Sequence, residues 1–227
     1  FLDADDQLLP DALEVNLELL AAEPRAGFAY GAYINVDART GRRSLAAFTD
    51  AAEGFPVFLR RNVIGMHGTV MYRRARLADI GGFEVSLRAC EDYDVYLRMA
   101  FRFPVVSSPV PLAEYWHHGG NMSRDSAMML RAALMVLARQ RLTAERLGEG
   151  RAYREGVAGL KRHYARAWCR ELAQRLRTGS ISRSFLAQGL SLARQTPLTL
   201  AGVAVHGARQ LVGRARRGIP FVDVAGR

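Results

Sequence analysis

Residues 1–10 read FLDADDQLLP, two apolar residues followed by a run of closely spaced carboxylates. The apolar pair predicts the end of a buried strand, after which Asp3, Asp5 and Asp6 crowd together. Carboxylates at this density repel one another unless a cation neutralises them, and Mg²⁺ and Mn²⁺ prefer oxygen ligands. The stretch therefore predicts a site for a divalent metal or a phosphate-bearing ligand at the end of a strand.

Other interpretations of this acidic stretch fit it less well. Asp6 and Asp11 could favour the positive end of the next helix, but that accounts for only one or two of the acids. A calcium-binding EF-hand loop starting at Asp3 needs glycine at its sixth position, where Leu8 stands. A haloacid-dehalogenase-type phosphatase needs a lysine and a later acidic motif, and the sequence has Lys161 as its one lysine and no Gly-Asp pair.

The residues that follow alternate between predicted strands and helices. Pro10 fits the first turn of a helix, since its missing N–H has no partner there, and apolar residues follow at helical spacing. The predicted strands cover 28–36, 68–72, 105–107 and 113–116, and the predicted helices cover 56–60, 74–79 and 91–101.

A glycine pair and a second group of acids form another cluster. Gly81 and Gly82 allow a tight turn and the close approach of a ligand. Glu91 and Asp92 then begin the predicted helix over 91–101, where each acid also favours the helix dipole by about 0.3–1 kcal/mol. Both interpretations stay open, although a carboxylate at a helix start beside a glycine turn is well placed as a general base.

The stretch YWHHGGNMS at residues 115–123 is the third cluster. His117 and His118 precede a glycine pair and could bind a metal or a phosphate. An isolated histidine pair is more often structural or solvated, so this stretch on its own predicts no particular chemistry.

In this order and spacing, the three clusters resemble the family 2 glycosyltransferases. Residues 3–5 match the family's D-x-D motif, residues 80–98 match its G-G-F…E-D-x-D-x-x-x-R stretch, and residues 115–123 match its closing Y-x-x-H-x-x-N-x-S segment. The resemblance covers residues 1 to about 123. The three motifs in series are far more specific than any one of them.

The resemblance implies an α/β fold, namely the C-terminal part of a GT-A fold with a mixed sheet over residues 1–123, followed by an α-helical tail over 124–227. The site residues that it implies are Asp92 as general base, Asp5 and His118 as ligands of Mn²⁺ or Mg²⁺, and Asp3, Gly82 and Glu91 as substrate contacts. The implied reaction moves a single sugar, with inversion, from a nucleotide-sugar donor to a glycan or lipid-linked acceptor.

Two departures from the family pattern qualify that reaction. The Q-x-x-R-W motif of processive polysaccharide synthases is missing, which favours the addition of one sugar. The family's nucleoside-binding strand and acidic loop would precede Phe1, so we expect an N-terminal portion in the gene product and an inactive chain without it. The alternative function is a non-catalytic fragment or a basic helical module that docks on a membrane or a protein.

Positive charge is concentrated in the C-terminal part. Residues 1–123 carry 12 basic and 16 acidic side chains, and residues 124–227 carry 20 and 6, so net charges of −4 and +14 make up the total of +10. Predicted helices cover 125–147, 151–177, 182–195 and 198–217. The last is basic and partly apolar, which fits an anionic membrane surface, although a solvated basic face is the alternative.

The remaining sequence features bound the location and partners. No apolar run approaches the length that crosses a bilayer, and no secretory signal pattern opens the sequence. The two cysteines, Cys90 and Cys169, form no disulfide framework, which favours a reducing compartment. Because no DNA-reading motif or basic aromatic platform is present, we expect no nucleic-acid partner. These features predict a cytoplasmic protein, with peripheral contact at the inner face of the membrane.

Overall fold

The computed structural model describes residues 1–117, 125–197 and 199–202. It has an α/β fold with a mixed sheet and helices. The chain divides into two compact units, one formed by Phe1–Asn121 and Met135–Val157 and the other by Met122–Leu134 and Ala158–Arg227. The predicted boundary after residue 123 stays a prediction.

The sheet lies in the first unit. Its strands are β1 (Gln7–Leu8), β2 (Phe28–Asp37), β3 (Arg43–Leu45), β4 (Met71–Tyr72) and β5 (Val105–His117). The strand order is β1-β5-β2-β3, with β4 also paired to β2. β2 and β5 run parallel and the other pairs run antiparallel, so the sheet is mixed as predicted.

Helices account for most of the other described residues. They are α1 (Ala12–Ala22), α2 (Phe55–Arg60), α3 (Arg74–Asp79), α4 (Glu91–Arg102), α5 (Ser126–Arg139), α6 (Arg141–Arg146), α7 (Gly150–Thr178) and α8 (Arg183–Gln195), with a short 3-10 turn at His67–Thr69. Within the described residues, no helix is both long enough and apolar enough to cross a membrane.

The core of the first unit forms around β2. Phe28, Ala29 and Tyr30 are fully buried, as expected of a strand with parallel and antiparallel neighbours and with both faces covered. The next residue is Gly31, and the side chain of Leu112 packs directly against it. A Cβ at this position would lie 2.5 Å from Leu112 Cδ1. This close approach coincides with the register shift between β2 and β5.

Several predicted elements are wrong in their bounds. Residues 105–107 and 113–116 belong to one continuous strand, because a bulge carries the ladder past the two prolines at 109 and 111. Residues 67–69 form a 3-10 turn, so the strand predicted at 68–72 is confined to residues 71–72. The helix predicted over 125–147 breaks between α5 and α6, where neither glycine nor proline marks the break.

The opening of the chain also differs from its prediction. Phe1 and Leu2 are not in a strand, and sheet pairing begins only at Gln7. The Phe1 side chain is 69% exposed, and its ring packs on aromatic neighbours rather than into a sheet. The acidic stretch therefore lies in a turn that leads into β1. The helix predicted over 198–217 lies almost entirely outside the described residues.

Candidate active site

The three acids of the opening stretch lie together on this turn. The backbone N–H of Asp6 donates to the carbonyl of Asp3 at 3.2 Å, which folds the segment back on itself. One carboxylate oxygen each from Asp3, Asp5 and Asp6 can be chosen so that all lie within 4.8 Å of one another. Asp3 and Asp5 are exposed and Asp6 is half-buried. The predicted clustering of these acids is therefore present.

Asp6 also joins the acidic stretch to β5. Its carboxylate accepts a hydrogen bond from the backbone N–H of Trp116 at 3.2 Å, and β1 pairs with β5 through Gln7 and Glu114. These bonds hold the turn beside the end of β5, where the third sequence cluster begins. The predicted metal ligand His118 follows directly and lies outside the described residues. By contrast, Asp11 precedes α1 without making a side-chain capping bond.

The glycine pair closes helix α3. The N–H groups of Gly81 and Gly82 donate to the carbonyls of Ala78 and Leu77 at 2.9 and 3.0 Å, and both glycines have positive φ, +81° and +70°. A Cβ at either glycine would meet nothing within 4 Å, so the backbone conformation and not crowding favours glycine here. The turn delivers Phe83, whose ring centroid lies 4.9 Å from that of Phe1.

Arg98 fastens this glycine turn to helix α4. Its guanidinium donates to the carbonyls of Ile80 and Gly82 at 2.7 Å each, and its Nε donates to the buried carboxylate of Asp94 at 2.7 Å. The spacing of four residues places Asp94 and Arg98 on one face of the helix. The last acid of the sequence pattern, Asp94, and its arginine, Arg98, therefore have a structural role, which is to hold the turn.

Asp92 lies at the start of α4 and is half-buried. Burial is the main cause that raises the pKa of its carboxyl to about 6; the nearby carboxylates of Glu91 and Asp3 contribute to this rise, and the N–H of Tyr93, which donates to the carboxylate, opposes it. The preceding Cys90 has a left-handed backbone, φ +60°, which is strained for a residue other than glycine. Such strain is common at functional sites.

The acidic stretch lies near the start of helix α4, as the contact between the rings of Phe1 and Phe83 indicates and as the effect of Asp3 on the pKa of Asp92 supports. A carboxylate raises the pKa of another only when the two are near enough to repel through space. Together with the contact between Phe1 and Phe83, this brings the first two sequence clusters to one place in the first unit. Asp3, Glu91 and Asp92 therefore share one electrostatic environment, and the turn at Gly82 borders it.

Sequence reasoning missed His67, which lies between the two clusters. Its Nδ1 is 2.8 Å from the hydroxyl of Tyr96, and its ring contacts those of Phe1, Tyr72 and Phe83. Tyr96 lies one helical turn after Asp92, so both project from the same face of α4. Burial and, to a smaller extent, the positive charge of the N-terminal amine of Phe1 lower the pKa of His67 to about 4, while the Asp3 carboxylate opposes this shift. In the sequence His67 is a single histidine among mostly apolar residues, and this pattern does not predict its contacts with Tyr96 and the three rings.

Asp92 and His67 give stability opposite dependences on pH. Asp92 has a pKa of about 6 in the fold against 3.8 as a free group, so the native state binds more protons and stability falls as pH rises between those values. His67 has a pKa of about 4 against 6.5, so the unfolded state binds more protons and stability rises with pH. The two contributions offset each other between about pH 4 and 6.

We therefore expect that replacing one of these two residues reveals the pH dependence of stability that the other contributes. In His67→Gln the free energy of unfolding should fall with rising pH relative to wild type, and in Asp92→Asn it should rise, each by up to about 1.4 kcal/mol per pH unit. Urea denaturation in small pH steps between about pH 4 and 6 measures both slopes. Wild-type slopes in both variants would contradict the assigned protonation states.

Comparisons with known proteins assign no family. No protein family model matches the chain, and no curated protein sequence matches it. The function is therefore inferred from the site itself.

Proposed function

We propose that this chain is the catalytic part of an inverting glycosyltransferase of the GT-A fold. It moves a single sugar from a nucleotide-sugar donor to a glycan or lipid-linked acceptor. The observation that carries the proposal is the convergence of the acidic stretch, the turn at Gly82 and the carboxylate of Asp92, which are separated by up to 89 positions in the sequence. The ring contact between Phe1 and Phe83 supports that convergence, and so does the contribution of Asp3 to the raised pKa of Asp92.

Asp92 has the properties that a general base needs. Its pKa of about 6 leaves it mostly ionised at neutral pH, yet makes it a stronger base than a solvated aspartate. In the proposed reaction it takes the proton of the acceptor hydroxyl as that oxygen attacks the anomeric carbon and the bond to the nucleoside diphosphate breaks. Glu91 orients the acceptor beside it. Because attack and departure occur on opposite faces of the sugar, the configuration inverts.

The acidic stretch offers a donor set that suits a divalent cation. Two ligands on opposite sides of one Mg²⁺ are about 4.2 Å apart, so oxygens within 4.8 Å of one another need only small side-chain rotations to share an ion. Asp5 would hold the metal, with Asp3 supporting it or contacting the ribose, and His118 is a proposed further ligand. When bound, Mn²⁺ or Mg²⁺ stabilises the negative charge that develops on the leaving diphosphate.

Asp6 has a different role in this proposal. One of its oxygens accepts the backbone N–H of Trp116, so this side chain holds the acidic stretch in place beside β5. The partners proposed for the chain are the nucleotide-sugar and the acceptor, with no nucleic acid. We place the reaction in the cytoplasm, with peripheral contact at the inner face of the membrane.

Metal-dependent release of a nucleoside diphosphate tests the proposed function. The chain, and the product of the whole reading frame that contains it, are incubated with a panel of nucleotide-sugars and Mn²⁺. We expect release that requires the metal and that falls by at least about a hundredfold in Asp5→Asn. An Asp11→Asn variant is the matched control, since Asp11 lies outside the acidic cluster. Absence of release with every donor, or release unaffected by Asp5→Asn, would contradict the proposal.

A further inference from the structure

Helix α8 of the second unit exposes apolar side chains on a face that also carries arginines. One face of the helix is buried through Phe185, Gly189 and Leu192. Outside this buried face, Leu186 and Leu190 are 49% and 65% exposed. Arg183 and Arg194 lie on the same face as these leucines, because spacings of three, four and seven residues superpose on a helix. We call Arg183, Leu186, Leu190 and Arg194 the leucine–arginine face.

The buried side of α8 keeps that face rigid. Phe185 stacks on Trp168 at 5.2 Å and 11°, and the guanidinium of Arg175 lies 4.5 Å from the centroid of the Phe185 ring. A Cβ at Gly189 would lie 2.3 Å from Trp168 Cζ2, so the two helices pack as closely as glycine permits. The hydroxyl of Ser182 caps the helix by accepting the N–H of Phe185 at 3.2 Å. The exposed leucines are therefore fixed in place by a packed scaffold.

Helix α1 of the first unit provides a contrast within the same chain. It also exposes a pair of leucines four residues apart, Leu13 and Leu17, at 57% and 58%. There the neighbouring residues are Glu14 and Glu18, whereas α8 contains no acidic residue. The two helices therefore expose leucine to a similar extent but carry charge of opposite sign. Of these two helices, only α8 combines exposed leucine with positive charge.

Positive charge extends over the described part of the second unit. Its described residues include nine basic and two acidic side chains, a net charge of +7. Both acids are engaged: Glu171 bonds Arg175 at 2.7 Å, and Asp125 accepts the N–H groups of Ala127 and Met128 at the start of α5. A partner that complements the exposed leucines and this positive charge must therefore carry negative charge at its surface and an apolar layer beneath it.

We propose that the leucine–arginine face docks this protein on anionic phospholipid bilayers. The leucines enter the boundary between headgroups and acyl chains, and the arginines bind lipid phosphates. This proposal is independent of the glycosyltransferase chemistry, because it rests on a different unit and on different residues. It assigns membrane contact to α8 rather than to the segment after residue 197.

Vesicle flotation of the complete chain tests the proposal. The lipids are phosphatidylcholine alone and a mixture of phosphatidylglycerol with phosphatidylcholine. We expect binding to the mixed vesicles alone, weakening as salt is raised from about 0.1 M to about 0.5 M. Leu186→Gln/Leu190→Gln should lower the partition coefficient by at least about tenfold. Arg183→Gln/Arg194→Gln should lower it by about 25-fold, and the corresponding double lysine variant should retain binding.

The matched control is Leu13→Gln/Leu17→Gln on the acidic helix α1, which should bind as wild type does. Circular dichroism checks that each variant is folded. We expect folded variants because the substituted positions are exposed. Equal loss in the α1 and α8 variants, or unchanged binding in both α8 variants, would overturn the proposal. Sedimentation velocity tests whether a second copy of the chain covers this face instead. A wild-type dimer that dissociates in Leu186→Gln/Leu190→Gln would show that the face is a contact between copies, and this result would also overturn the proposal.

Discussion

Asp92→Asn should lower sugar transfer by about 10²–10⁴-fold while leaving the fold intact. An amide cannot accept the proton of the acceptor hydroxyl, and a positioned carboxylate base contributes an acceleration of about that size. At neutral pH the same variant should be more stable than wild type, by on the order of 2 kcal/mol, because it removes a charge that burial and neighbouring carboxylates disfavour. Initial rates of diphosphate release and urea denaturation measure the two effects.

The combination of lost activity and gained stability separates a catalytic role from a structural one. A carboxylate needed only for the fold would lose stability together with activity when it is replaced. Asp79→Asn is the control, since Asp79 is a surface acid paired with Arg76 and its removal should change both quantities little. An Asp92→Asn protein that is both less stable and poorly folded would contradict the assigned role.

Arg98→Ala should lower the free energy of unfolding by about 3–5 kcal/mol, a large loss for a single substitution. It leaves the buried carboxylate of Asp94 without its closest cation and frees the carbonyls of Ile80 and Gly82. Removing one partner of a buried ion pair typically costs that much. The loss of stability should lie near the lower end of this range, about 3 kcal/mol. The reason is that Arg139, 3.6 Å from the Asp94 carboxylate, still provides a positive charge beside it. Equilibrium unfolding in urea measures the loss.

Two further arginine variants make this test specific. Arg98→Lys keeps the charge beside Asp94 but cannot reach both carbonyls in the fixed geometry of a guanidinium, so its loss should be intermediate. Arg102→Ala, which removes an exposed arginine bonded to the carbonyl of Asp79, should cost less than about 0.5 kcal/mol. An Arg98→Ala protein as stable as Arg102→Ala would show that the glycine turn does not depend on this anchor.

Much of the first unit could be predicted from local pattern. The apolar run at 28–36 and the helical spacing at 74–79 and 91–101 correspond to β2, α3 and α4. Clustering of the three acids follows from their closeness in sequence, since a turn needs only to bring neighbours together. These features depend on local preferences, which a single sequence displays.

Features that depend on distant contacts could not be predicted in this way. β5 passes two prolines because the long parallel ladder to β2 outweighs their local cost. The break between α5 and α6 has no glycine or proline to announce it. His67 gains its importance from Tyr96, 29 positions later, and from rings supplied by other segments. The role of Arg98 is set likewise by carbonyls 16 and 18 positions before it.

The pH profile of kcat/KM for diphosphate release, recorded for wild type and Asp92→Asn, tests the central claim most directly. Protonated Asp92 cannot act as a base, so the wild-type rate should fall tenfold per pH unit below its pKa of about 6 and should level off above it. The residual rate of Asp92→Asn should lack this acidic limb. An identical limb in both proteins, or full activity in the variant, would contradict the account.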